Sequence, residues 1–249
     1  MNQVYTPLIK QWLILLALTI GSTLVFEHSQ LDVRISELFY SNGDWLLEKG
    51  GQPYAFILYD FPKALLILMI VALLVILILR YVRRKSTYTM RAKTFFIGLV
   101  TTLSNREIGY LLVTLIAVPT IIASLKAVTH VSCPNNLALF NGALPYLSIW
   151  QNIVANTEAK CFPAAHASAG FALYGFAYLP TLKRHRVKII ILTTILGWTM
   201  GMYKMLIGDH FFSHTLVSML LSWTLACGFA MIFFAKRRVK KPVLLKISV

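Results

Sequence analysis

Three short polar clusters stand out from an otherwise apolar chain of 249 residues. The first runs from Lys126 to Cys133 and Pro134. The second runs from Cys161 through Pro163 to His166, and the third from Lys204 through His210 to His214. These residue types suit phosphoryl transfer, which needs a nucleophile, a proton donor for the leaving group and cations around the equatorial oxygens. Imidazole is neutral and nucleophilic near neutral pH, so His210 fits the nucleophile. His166 fits the acid that protonates a leaving alkoxide. Lys126 and Lys204 bring positive charge to the phosphate, as point charges without the two-pronged fork of Arg. His210 and His214 are four residues apart and share one face if the segment is helical. A neutral His214 accepts one hydrogen bond but supplies no negative charge. That charge is left to Asp209 or to a carboxylate elsewhere, such as Asp60, and Asp209 points away from the His pair on a helix.

Each feature also has a plainer reading. A single His at a helix end is ordinarily an interfacial polar residue. Lys126 and Lys204 are long enough to snorkel to lipid headgroups. His210 and His214 with His166 offer imidazoles for zinc, but no carboxylate pattern supports it, so the expectation is no metal and no cofactor. Asp60 and Lys63, three apart, read as an interfacial ion pair. Against the plain reading of the histidines, five of the six lie on one side of the membrane, and three fall within the clusters.

The elements that position these clusters are membrane spans. The chain is 57% hydrophobic and 13% charged, with a mean hydropathy of +0.69, which excludes a soluble domain of this length. The net charge of +15 does not indicate nucleic acid, because the basic residues sit between apolar spans. Six spans are expected, near Trp12–Phe26, Phe56–Leu79, Ile108–Leu125, Ala167–Leu182, Ile189–Leu206 and Thr215–Ala235. Each, with its flanks, suffices for a hydrocarbon core of about 30 Å. Of the 24 Lys and Arg, 18 fall on one side, at Lys10, Arg80–Arg106, Lys183–Lys188 and Lys236–Lys246. By the positive-inside rule that side is cytoplasmic, with both termini. The six others, Arg34, Lys49, Lys63, Lys126, Lys160 and Lys204, lie outside together with all three clusters. Ionisable groups at the ends of membrane helices are costly to keep there and point to function. The first segment reads as an uncleaved span rather than a signal peptide, because its only basic flank is Lys10 and no small-x-small cleavage site follows.

Two outer loops join the spans. Glu27–Ala55 carries Leu31, Ile35, Leu38 and Phe39 at helical spacing, which suits either a helix lying in the interface or a packed helix capping the bundle. Asn42-Gly43 and Gly50-Gly51 are turn signals. His130–His166 has too many breakers for one regular element, and Phe140, Tyr146 and Trp150 argue against disorder. On the other side, Arg80–Arg106 suits anionic headgroups. Cys133 and Cys161 both lie outside, where an oxidising compartment permits a bridge between them. Two reduced thiols are the alternative, and Cys227 sits inside the sixth span.

The three clusters, in order and spacing, resemble the signature of the type-2 phosphatidic acid phosphatase family, roughly K-x6-RP, PSGH and SR-x5-H-x3-D. The resemblance covers about residues 110–220, within a single domain spanning 1–249. Lys126, Pro134, Pro163, His166 and His210 match outright. Cys133 stands where Arg is usual, Ala164-Ala165 replaces Ser-Gly, Tyr203-Lys204 replaces Ser-Arg, and His214 replaces Asp. The Cys-Pro first cluster and the His-Phe-x-Ser-His third are similar to a bacterial branch. Backbone N–H groups after Pro163, at the start of the fourth span, are expected to compensate in part for the lost Arg residues.

The resemblance implies an all-α six-span bundle in the bacterial inner membrane, with an outer-face active site and a short interfacial helix. It implies metal-independent hydrolysis of a membrane lipid phosphate or pyrophosphate through a phosphohistidine. Lipid A, undecaprenyl diphosphate and phosphatidylglycerophosphate are the candidate substrates. The expected roles are His210, His166 and His214 in catalysis and Lys126 and Lys204 on phosphate. A lipid-to-lipid phosphotransferase and a non-catalytic lipid-binding relative remain as alternatives. The expected partners are the membrane and its lipids, with no nucleic acid.

Overall fold

A computed structural model describes residues 5–83 and 102–234. The basic stretch beyond Arg83 and the run Lys236–Lys246 lie outside the described residues. Helix α1 covers Tyr5–Glu27, α2 Leu31–Glu37 and α3 Phe61–Arg83. Then come α4 at Asn105–Thr129, α5 at Ile149–Ala155, α6 at Ala165–Phe171, α7 at Arg186–Leu206 and α8 at Phe212–Phe234. Among the described residues, five helical stretches are long and apolar enough to cross a membrane: Pro7–Glu27, Phe56–Val82, Asn105–Asn136, Pro180–Leu206 and Phe212–Phe234. The protein is a multi-pass membrane protein.

The segment expected as a fourth span is helical but not one α-helix. It runs as α6, then a 3-10 stretch at Ala172–Tyr178 and another at Pro180–His185. Phe171, Ala172, Tyr174 and Ala177 are buried at its centre, so this segment is the core about which the long helices pack. Tyr174 stacks on Trp223 at 4.7 Å and its hydroxyl meets Thr194 Oγ1 at 2.7 Å. Tyr110 donates to the Ala226 carbonyl at 2.9 Å. Such polar links matter between membrane helices, where lipid is as apolar as the side chains and packing with hydrogen bonds does the joining. The outward faces are apolar: Leu13, Ile14 and Leu18 of α1 and Leu65, Leu68 and Val75 of α3 are exposed, as lipid-facing residues are.

Helix α4 starts at a capping box. Ser104 Oγ accepts from the Glu107 N–H, and the Ser104 N–H donates to Glu107 Oε2 at 2.8 Å. It ends at His130, in the left-handed region at φ 53°. Between α1 and α3, Tyr40–Ser41 pairs with Asp44–Trp45 as a two-stranded hairpin across Asn42-Gly43. Both turn residues have positive φ, as a two-residue hairpin loop requires.

In helix α2 burial does not follow polarity. Its buried side chains are Asp32, Val33 and Ser36, whereas Leu31 and Leu38 of the anticipated apolar stripe are exposed. The polar edge turns into the protein because Ser213 of α8 donates both its backbone N–H, at 2.9 Å, and its hydroxyl to the Asp32 carboxylate. Leu31 and Leu38 face outward, while Ile35 and Phe39 are half-buried.

Candidate active site

The three clusters meet at one end of the helices. Lys126 lies in the last turn of α4, His166 in the first turn of α6, Lys204 in the last turn of α7, and His210 in the short link into α8, which carries His214. Backbone hydrogen bonds tie the clusters together. The Asn135 N–H donates to Gly208 O at 3.0 Å, the Cys161 N–H to Val131 O at 2.9 Å, and the Ala164 N–H to His214 O at 3.1 Å. The last of these occupies one of the N–H groups after Pro163 that were expected to face phosphate. Cys133 and Cys161 are joined as a disulfide with Cα atoms 5.3 Å apart, and Cys227 is a buried free thiol.

The link between α7 and α8 is shaped by close approaches. Gly208 turns the chain at φ 72°, and a Cβ there would stand 2.2 Å from the Trp45 ring. Gly201 of α7 lies against Thr215, where a Cβ would come within 2.3 Å of Thr215 Cγ2. Gly201 lets α7 and α8 approach closely, and Gly208 seats the link between them against Trp45 of the hairpin.

His210 Nδ1 and His214 Nδ1 face each other at 3.5 Å, and both rings are buried. The His210 and His166 ring centroids are 6.2 Å apart. His166 Nδ1 is buried and has no hydrogen-bond partner among the described residues. Burial, followed by the nearby His214, Lys126, His166 and Lys204 charges, keeps the His210 imidazole well below its ordinary value, hence neutral. A neutral ring is the nucleophilic form.

Lys204 is not a free cation. Its Nζ bonds Asp209 Oδ2 at 2.8 Å and lies 4.8 Å above the Tyr59 ring. Asp209 also takes Lys49 Nζ at 3.1 Å and Asn135 Nδ2 at 3.2 Å. Burial works to raise the Asp209 carboxyl, but hydrogen bonds and charge from Lys204 and Lys49 outweigh it and hold the group below its usual value. Asp209 therefore serves the lysines and not the His pair, and it lies in the non-helical link, so the helical geometry expected there does not apply.

Lys63 departs from its expected pairing. Among the described residues it makes no ion pair with Asp60, and its Nζ instead lies 5.6 Å from the Tyr59 ring centroid. Tyr59 meets His166 edge-on at 5.3 Å, and the Lys63 charge bears on His166 along with those of Lys126 and Lys204. A helical turn of five residues, Phe56–Asp60, with i to i+5 bonding precedes α3 and carries Tyr59 to this place. Sequence spacing paired Lys63 with its neighbour and had no means to see His166 across the bundle. No group of three or more His, Cys, Asp or Glu among the described residues is arranged to hold a metal ion.

The ends of the helical membrane spans thus gather two lysines, a buried His pair and a third His in a multi-pass membrane protein. The chain belongs to the PAP2 superfamily, whose family model matches residues 107–238. Members of that superfamily are phosphatases acting on phosphate esters, often those of lipids, and this chain carries the family's implied phosphatase-type activity. No curated protein and no solved structure matches it.

Proposed function

We propose that the protein hydrolyses phosphate from a membrane lipid phosphate or pyrophosphate through a phosphohistidine on His210. The observation that carries this is the Nδ1-to-Nδ1 contact of His210 and His214 beside two lysines. With the His214 proton on Nε2, its Nδ1 is left to accept from His210 Nδ1–H. The lone pair of His210 is then on Nε2, free for phosphorus. His214 thus orients the nucleophile in place of the family's carboxylate.

In the first half-reaction His210 Nε2 forms the P–N bond as the P–O bond to the lipid breaks, and His166, held as imidazolium by the negative charge of the bound phosphate against its burial and the pull of the lysines, donates a proton to the leaving oxygen. In the second, His166 takes a proton from water, the water oxygen attacks phosphorus, the P–N bond breaks, and inorganic phosphate leaves. Lys126 and Lys204 stabilise the equatorial oxygens in both transition states. Asp209 holds Lys204 in place between turnovers. Six crossings are the topology that puts this site outside. The sixth is the 167–182 segment, and Ala165–Tyr178 alone, part α and part 3-10, extends on the order of 25 Å. The site then faces the periplasm or cell exterior and the outer-leaflet lipids of a bacterial inner membrane.

Purified protein incubated with a panel of labelled lipid phosphates and diphosphates tests the reading. Free phosphate, with an acid-labile, base-stable phosphoprotein that vanishes in His210→Ala, is the expected result. Label passed to an acceptor lipid would make it a phosphotransferase, and binding without turnover a lipid-binding relative. Either outcome overturns the hydrolase.

A further inference from the structure

The third cluster lacks a carboxylate behind its nucleophile, and the molecule holds a buried carboxylate for which the catalytic scheme has no use. Asp32 of α2 is 5% exposed, although acidic groups are seldom buried unless paired with a cation or richly hydrogen-bonded. No cation pairs with it among the described residues. Its partners are the N–H and hydroxyl of Ser213. Ser213 lies between His210 and His214, in the first turn of α8. Asp32 thus holds from outside the very turn that sets the angle between the two imidazoles.

A second observation places Asp32 behind the His pair. Asp32, Ser213 and His214 line one cavity of about 30 Å³, together with Glu27, Tyr146 and Phe162. A water needs about 10–15 Å³ and two or more polar partners, so this space suits a water bridging the carboxylate to the His214 side. The other titratable groups facing Asp32 are accounted for. Glu27, at the end of α1, accepts from the Ile149 N–H at 2.7 Å. Tyr146, from the outer loop, is pushed up to about 12 by burial and then by the Asp32 and Glu27 charges, so its hydroxyl stays neutral. His214 is the remaining neighbour able to answer a charge on Asp32.

We propose that ionised Asp32 is the positioning residue of the site, reaching in from α2 to fix the His210–His214 turn through Ser213 and to supply the negative charge that the third cluster lacks. This rests on the phosphatase reading above. A structural tether would be better served by a neutral group, since an ionised carboxylate without a cation is costly to bury. Burial raises the Asp32 carboxyl to about 6, with the Ser213 hydrogen bonds pulling partly against it. The charge therefore appears only above that pH. Activity should rise as Asp32 ionises, while stability falls across the same change.

The test compares wild type, Asp32→Asn and Asp32→Glu in detergent, following phosphate release from pH 4.5 to 8.5 together with thermal unfolding. Asn keeps an acceptor for the Ser213 N–H and a donor for its hydroxyl. We expect Asp32→Asn to lower kcat at least about tenfold at pH 7.5, because an orienting carboxylate acts in the transition state. KM should stay within about twofold, since the lysines that bind phosphate are untouched. The acidic limb of the kcat profile near pH 6 should disappear, and unfolding at pH 7.5 should occur at an equal or higher temperature. Asp32→Glu should recover part of kcat together with the limb. A wild type that turns over beside an equally active Asp32→Asn, or a variant that loses activity only with its fold and keeps the limb, overturns this inference alone. A wild type with no turnover on any lipid phosphate overturns the phosphatase reading, and this inference with it.

Discussion

At the scale of single residues the site replaces directional contacts with numbers of charges. A guanidinium holds two phosphate oxygens at once, and an ammonium holds one direction at a time. The charges of Lys126, Lys204 and Lys63 all bear on His166. If His166 is the acid proposed above, Lys63 acts beside the leaving group. Exchange of Lys63 for Gln should lower kcat/KM by about tenfold, an amount typical of one charge-assisted contact, with recovery in Lys63→Arg. An unchanged value would return Lys63 to the interface. For His210→Ala we expect a loss of at least about three decades in kcat, since only binding and electrostatic terms remain without the nucleophile. His166→Ala should retain the transfer step for substrates with a good leaving group, such as an aryl phosphate, which needs no proton. Equal losses on aryl and alkyl phosphates would remove His166 from the role of acid.

At the scale of elements, the loops carry as much of the site as the spans. The Cys133–Cys161 bridge closes a loop of 28 residues in sequence separation, and it joins the segment after Lys126 to the segment before His166. Closing a loop of this length stabilises by roughly 3–4 kcal/mol in the chain-entropy model. Cys133→Ser and Cys161→Ser should each lower activity and unfolding temperature by similar amounts, with no further loss in the double variant. Additive losses would show that the two thiols act separately. Helix α2 gives the second prediction at this scale. A carboxyl raised from 3.8 to about 6 favours the folded state when protonated, so its contribution is full below the unfolded value of 3.8 and lost as pH rises through about 6. By linkage the difference is on the order of 3 kcal/mol. The unfolding temperature of wild type relative to Asp32→Asn should therefore fall between pH 4 and pH 6. A constant difference across that window would mean that Asp32 does not ionise in place.

For the whole molecule, the helices deliver their polar ends to one side of an apolar bundle. Cysteines placed at Asp44 and Lys160 should react with a membrane-impermeant maleimide in intact cells, and one at Arg184 only after permeabilisation. Labelling at 184 from outside would remove the six-crossing arrangement, and the outer-facing site with it.

The amino-acid sequence determined by itself the features that follow from composition and local spacing. These are the membrane class, the long helices, a turn at Asn42-Gly43, and the candidacy of Lys126, His166, Lys204, His210 and His214. Apolar runs and charge bias are one-dimensional signals, and the clusters repeat a spacing that a family signature records. Tertiary structure alone decided what lies far apart in the chain. The 3-10 winding of Ala172–Tyr178 follows from packing at the centre of the bundle, which a hydropathy pattern does not encode. Lys63 bears on His166 only when α3 packs beside α6. Asp32 and Ser213 are 181 residues apart in sequence. On an amphipathic pattern Asp32 reads as the solvated face, because periodicity sorts side chains by polarity. A buried carboxylate that finds its hydrogen-bond donors on another helix breaks that sorting, and only the folded arrangement supplies the partner that permits it.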